Sequence, residues 1–156
     1  MTRVLILLAT HVLVGMGGFA AGVYLLPILI APPAPTAAEV SSMADAATYT
    51  AEFRRDVGDS DALHWGEGKV FVGPNHIALD GEVAPGPAYG LYLSPVWVKT
   101  EAEFARERER MVRVGRVDTF TNFIVPLPAG TDLEAHTSVV IWCEAFDQFI
   151  TSASYR

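Results

Sequence analysis

Among 156 residues there is one cysteine, and four histidines and four methionines accompany it. Thiolate, imidazole and thioether are the side chains that ligate soft metals and haem iron. A site of that kind would be drawn from Cys143 together with His64, His76, His136 and Met111. No two of these stand at a ligand spacing, so any proximity has to come from the fold. A lone cysteine excludes an internal disulfide, a C-x-x-C redox pair, a C-x-x-C-H haem attachment and a multi-cysteine zinc site. The competing use of Cys143 is as a small buried hydrophobe, since free cysteine is among the most buried residue types. A reactive thiol needs access and a lowered pKa, and the apolar neighbours of Cys143 favour neither.

Other polar groupings carry less. Ser60, Asp61 and His64 are close in sequence, but no nucleophile-elbow motif accompanies them, so hydrolysis by a triad has no support. Asp56, Asp59 and Asp61 form an acidic loop without the ordered spacing and closing glutamate of a calcium loop, which leaves turn chemistry. The segment Ala84 to Trp97 is rich in Gly and Pro and carries Tyr89, Tyr92 and Trp97. Aromatics there offer a surface for a partner or ligand, although alternating strand positions would send at least half of them into the core.

The element that positions the thiol is Thr137-Ser138-Val139-Val140-Ile141-Trp142-Cys143-Glu144-Ala145-Phe146. Val139, Ile141 and Cys143 alternate with Val140 and Trp142, so both faces are apolar, as in a central strand covered on both sides. Strand patterns recur at Tyr49–Arg54, His64–Val72, His76–Asp80, Ala88–Leu93, Arg113–Val117, Phe120–Leu127 and Phe149–Tyr155, with Gly, Pro, Asn and Asp between them. Many short strands punctuated by turn signals at intervals of about 10 residues predict a mainly β fold, an antiparallel sandwich or barrel. One surface helix interrupts the strands over Glu101–Val112. Thr100 and Glu103 form a capping box at its start, and its mixed charges make a solvated face.

The N-terminus is of another kind. Val4 to Ala31 is apolar and uncharged; about 20 such residues cross a bilayer core. The run exceeds the length of a signal-peptide h-region, and the Ala-Pro-Pro-Ala-Pro that follows is a poor cleavage context, so the segment reads as an uncleaved anchor, with cleavage as the alternative. Arg3 is the nearest basic residue, which sets the N-terminus inside and the remainder outside the cytoplasm. The chain therefore divides into a transmembrane anchor (1–30), a Pro/Ala-rich linker holding the domain off the membrane (31–47, with a short helix around Ala37–Ala44) and a β domain (48–156). Gly18 and Gly22 have the G-x-x-x-G spacing that permits a homodimer or a partner subunit; glycine is also simply common in membrane helices. His11 has no partner within the span, so no proton relay is implied. The net charge of −7 argues against nucleic acid and against an anionic lipid surface as partners.

Four stretches are more specific: His64-Trp65-Gly66-Glu67-Gly68, Pro87-Ala88-Tyr89-Gly90-Leu91-Tyr92-Leu93-Ser94-Pro95, Phe123-Ile124-Val125-Pro126-Leu127-Pro128 and, above all, Ser138-Val139-Val140-Ile141-Trp142-Cys143-Glu144-Ala145-Phe146. Together they resemble the DM13 domain in its small bacterial form with an N-terminal membrane anchor, over about Tyr49 to Arg156. Gly22-Val23-Tyr24-Leu25-Leu26-Pro27-Ile28-Leu29 resembles the anchor of that group. The resemblance implies a DOMON-like β-sandwich outside the cytoplasm, on a single-pass inner (plasma) membrane anchor. Its implied role is electron transfer centred on Cys143, as a free redox thiol or as a ligand to a group such as haem. By side-chain type, His64 and Met111 are the candidate co-ligands. The alternative is a non-enzymatic binding or scaffold module at the membrane surface, meeting an unidentified protein partner, with Cys143 a buried structural thiol.

Overall fold

The computed structural model describes residues 1–156. Helix α1 covers Thr2–Ile30 and α2 covers Ala37–Asp45. The strands are β1 (Tyr49–Phe53), β2 (Gly66–Val72), β3 (His76–Val83), β4 (Tyr89–Ser94), β5 (Val112–Val117), β6 (Thr121–Pro126), β7 (Ser138–Cys143) and β8 (Gln148–Ser154), with α3 (Glu101–Glu107) between β4 and β5. They form two four-stranded antiparallel sheets, ordered β1-β2-β3-β6 and β5-β4-β7-β8. The fold is mainly β and sandwich-like, as the strand spacing predicts.

The period-two pattern decides which side chains meet. Val139, Ile141 and Cys143 enter the core between the sheets with Phe53, Val70, Leu79 and Leu91. Val140 and Trp142 face the other way, into a second cluster with Tyr92, Phe104 and Phe149 beneath α3. Every residue of β7 is buried, so this strand, between β4 and β8, is covered on both faces. Burying each large aliphatic side chain supplies roughly 1.5–3 kcal/mol, which is why the most apolar run of the domain takes this position. In the other sheet Gly68 pairs with Gly81. Gly68 has φ +120°, and a Cβ there would stand 2.3 Å from the Asp80 carbonyl oxygen, so the backbones approach as closely as only glycine permits.

Two expectations change, both at element boundaries, and the linker takes up a docked position. The helix expected over Glu101–Val112 ends at Glu107; a 3-10 turn spans Arg108–Arg110, and Val112 is already paired with Leu93 in β5. The β-branched Val112 and Val114 gain more by pairing with β4 than by extending a charged helix. Its capping is displaced by one residue: Thr100 Oγ1 accepts from the Glu103 N–H, but Glu103 Oε2 accepts from Lys99 N at 2.7 Å. The linker segment packs onto the domain. Thr36 and Glu39 form a capping box that starts α2, Val40 is 1% exposed, and His76 Nε2 lies 3.1 Å from the Met43 carbonyl oxygen. One apolar anchor and two polar contacts (Asn122 Nδ2 also donates to Pro35 O at 3.2 Å) fasten the segment to β3 and β6. Finally, β2 begins at Gly66, because Asp61 Oδ1 accepts from the N–H groups of Leu63 and His64 and holds them in a turn.

Candidate functional site

Cys143 is the last residue of β7 and is 3% exposed. Its Sγ donates to the Pro87 carbonyl oxygen at 3.2 Å, and Cys143 pairs with Tyr89 across the strands. Burial pushes the thiol pKa up, while the N–H groups of Phe146 and Ala145 oppose that shift. Burial likewise pushes the neighbouring Tyr89 hydroxyl above its ordinary range. Both groups are therefore protonated at neutral pH.

Two turns cover the thiol. One is Gly86–Ala88, before β4; the other is Glu144–Asp147, between β7 and β8. They are tied together by Glu144 N–H donating to Ala88 O at 3.0 Å. Each turn contains a non-glycine residue in the left-handed region, Ala88 at φ 52° and Asp147 at φ 49°. Such residues are uncommon, and for alanine, with no side-chain oxygen to compensate, the conformation is unfavourable. The outer surfaces of both turns help to wall a groove of about 740 Å³, whose opposite wall is the C-terminal part of α1. Phe19, Val23, Leu26 and Pro27 face Pro87, Ala88, Phe120 and Phe146 across it, with Arg116 and Asp118 at its rim. The cysteine thus lies one layer beneath a mostly apolar groove.

The residues expected to accompany Cys143 lie elsewhere. Met111 packs against the cluster that contains Trp142 and Phe104, on the opposite face of the β4–β7 sheet. His64 sits on the loop before β2 in the other sheet, with Nδ1 3.0 Å from Asp61 Oδ1. His76 is engaged by Met43 O, and His136 Nδ1 lies 2.7 Å from Asp132 O. No three His, Cys, Asp or Glu residues group as a metal site, and neither the groove beside α1 nor the cavity between Arg54 and Trp97 is lined by Cys, His or Met. The side chains present do not fit haem or a resident metal, because no imidazole or thioether stands across a cavity from Cys143.

The remaining sequence candidates are also placed. Ser60 Oγ donates to Ile150 O rather than to His64, so no triad forms. Asp59 accepts from Glu101 N–H at the start of α3, and Asp56 is forked by Arg54; the acidic loop is turn and capping chemistry. Tyr89 and Tyr92 are core residues, and of the three aromatics expected at a binding surface only Trp97 is exposed, at 45%. Its indole N–H donates to Ser152 Oγ, and Lys99 lies over its ring.

One network escapes sequence reasoning. Glu144 turns away from Cys143 and accepts from Arg113 Nε at 2.6 Å, Arg113 Nη2 at 3.0 Å and the Tyr92 hydroxyl at 2.6 Å. The Arg113 fork is the main reason its carboxyl is held below the usual range. A Cβ at Gly90 would come within 2.5 Å of Glu144 Oε1, so the carboxylate rests over a glycine. The only local signals are the arginine and the acid themselves, 31 residues apart.

No curated relative and no solved structure matches the chain. A family model described as electron transfer DM13 matches residues 52–155, which takes in all of β2 to β8, Cys143 and both turns above it. The chain therefore belongs to the DM13 electron-transfer family.

Proposed function

We propose that the protein is a membrane-anchored, extracytoplasmic DM13 module with a redox role centred on Cys143. The observation that carries this reading is the position of the thiol. It lies beneath two turns, each containing a left-handed residue and one of them, at Ala88, in a conformation unfavourable for its side chain, and these turns wall a groove beside the helix α1, which is long and apolar enough to cross a membrane. Strained backbone held in place by its surroundings tends to collect at functional sites. Opening of the Ala88 and Asp147 turns gives a partner access to Cys143 without unfolding the sheets. The N-terminus lies inside, with Arg3 on that side, and the domain lies on the opposite side of the inner membrane.

The test uses the full chain in detergent or nanodiscs. Thiol labelling is followed with and without denaturant, and electrochemical titration compares the protein with Cys143→Ser. The expected results are slow but measurable labelling of the folded protein and a redox transition that disappears in the variant. Labelling only at the rate of global unfolding, with no transition lost in Cys143→Ser, would sink the reading.

The second reading is a scaffold or binding module in which Cys143 only fills the core; its 3% exposure and raised pKa favour that alternative. A partner protein would then meet Trp97 or a second copy of α1. Positions Gly18 and Gly22 have nothing within 4 Å of where a Cβ would sit, leaving room for a second helix. Pull-down with Trp97→Ala and cross-linking with Gly18→Leu separate those two partners.

A further inference from the structure

We infer that the groove between α1 and the domain holds one acyl chain of a zwitterionic phospholipid, with its headgroup at the Arg116–Asp118 pair. This rests on α1 crossing a bilayer. The helix is longer than such a crossing needs. α1 has 29 residues, about 43 Å at roughly 1.5 Å per residue, against a hydrocarbon core of about 30 Å. Counted from Val4, just beyond Arg3, the hydrocarbon ends near Val23, and the last two turns of the helix stand at headgroup depth.

The domain packs on those same turns. Val23, Pro27 and Ala31 recur every four residues and are the positions of this part of the chain that are partly covered rather than exposed. The groove runs from Phe19 to Pro32, so one end opens at the depth of lipid tails and the other at the depth of headgroups. Phe19, Val23 and Leu26 face Phe120 and Phe146, and Phe146 is 51% exposed to whatever occupies the space. The volume falls within the range of about 300–1,000 Å³ found for ligand sites.

The rim identifies the head. Arg116 Nη2 and Asp118 Oδ1 are 2.9 Å apart, and both side chains are largely exposed. A cation beside an anion at the surface matches a phosphate beside an ammonium, with phosphate toward Arg116 and ammonium toward Asp118. An anionic lipid would meet one attractive and one repulsive group on a domain of strongly acidic sequence, in a chain of net charge −7. No covalent step is involved; the lipid is a resident that fixes the domain on the bilayer and keeps water out of the space above the Cys143 turns.

The test is photo-cross-linking in vesicles of phosphatidylcholine and phosphatidylethanolamine carrying a diazirine at the acyl-chain end, with adducts mapped by mass spectrometry. The expected result is adducts on residues 86–88, 117–120 and 145–146 as well as along α1. Ala145→Trp, which fills the groove from an exposed position, should lower the three loop signals roughly tenfold while leaving those on the inner half of α1 unchanged. Arg116→Glu should lower the same loop signals, and phosphatidylglycerol vesicles should give weaker loop labelling than the zwitterionic ones. Adducts confined to α1, or loop adducts that Ala145→Trp leaves unchanged, overturn the lipid site while sparing the anchor. Failure of the chain to float with vesicles, and absence of adducts on α1, overturns the anchor and the lipid site together.

Discussion

Cys143 Sγ and the Pro87 carbonyl oxygen are 3.2 Å apart, with the sulfur as donor. The thiol is therefore held in its protonated form by a partner that can accept but never donate. A base at that position would activate the sulfur; a carbonyl instead keeps it neutral, and burial acts in the same direction.

The first prediction follows from that pair. In the folded protein, labelling of Cys143 by a maleimide at pH 7 should be slower than in denaturant by about an order of magnitude or more, since the thiolate is the nucleophile. The raised folded-state pKa also fixes a sign for stability. Its contribution is fully present below the unfolded thiol value of about 8.5 and is lost as pH rises through the higher folded-state value. Chemical denaturation of Cys143→Ala and the parent, compared at pH 7 and pH 10, should show the parent losing more stability than the variant.

Glu144 gives the opposite sign. Its folded-state carboxyl is held low by Arg113 and also by Tyr92, so its contribution is complete above the unfolded value of about 4.3 and is lost as pH falls through the depressed folded-state value. Glu144→Gln should cost about 1–2 kcal/mol at pH 7, because the buried Tyr92 hydroxyl and the more exposed Arg113 lose their charged acceptor. Below pH 4 the difference should shrink. Urea titrations at pH 7 and pH 3.5 check both statements.

Phe104 should be the most sensitive residue of α3. It is 1% exposed, stacks on Trp142 at 3.9 Å between centroids and meets Tyr92 edge-on at 5.2 Å. Phe104→Ala should cost about 3–5 kcal/mol and shift the Trp142 emission to the red as water reaches the indole. An unchanged emission spectrum and midpoint would show that α3 is not the cover of that face.

A gain of stability is expected at Thr151. Its hydroxyl is fully buried without a hydrogen-bond partner, and valine has the same shape and the same β-branching. Thr151→Val should raise stability by about 1 kcal/mol, read as a higher midpoint at constant m-value.

The sheets are largely legible in the sequence because a strand broadcasts its faces with period two. Alternation alone assigns Val139, Ile141 and Cys143 to one side and Val140 and Trp142 to the other, and the two clusters divide them in that way. The Trp-Cys segment also lies within the span that the family model matches. The ligand set is not legible, because His64, Met111 and Cys143 are brought to three different parts of the fold by strand order, which no local pattern encodes. The helix limit fails where Met111 and Val112 suit either a helical edge or an extended chain, and pairing with β4 decides it. The Arg113–Glu144–Tyr92 network and the α1 groove both depend on residues far apart in sequence that meet only after the sheets close.

The docked segment between α1 and β1 changes how this protein can meet a partner. A free linker would let the domain sweep a hemisphere above its anchor. With Val40 buried and Pro35 and Met43 held by Asn122 and His76, the domain has no slack tether. Were α1 seated in a bilayer as proposed, its height and tilt would be set, and an encounter with another membrane protein would become a collision in two dimensions. The pace of such encounters is then governed by lateral diffusion and by the azimuth of approach, so a partner that works with it must present its own contact surface at the same height above the lipid.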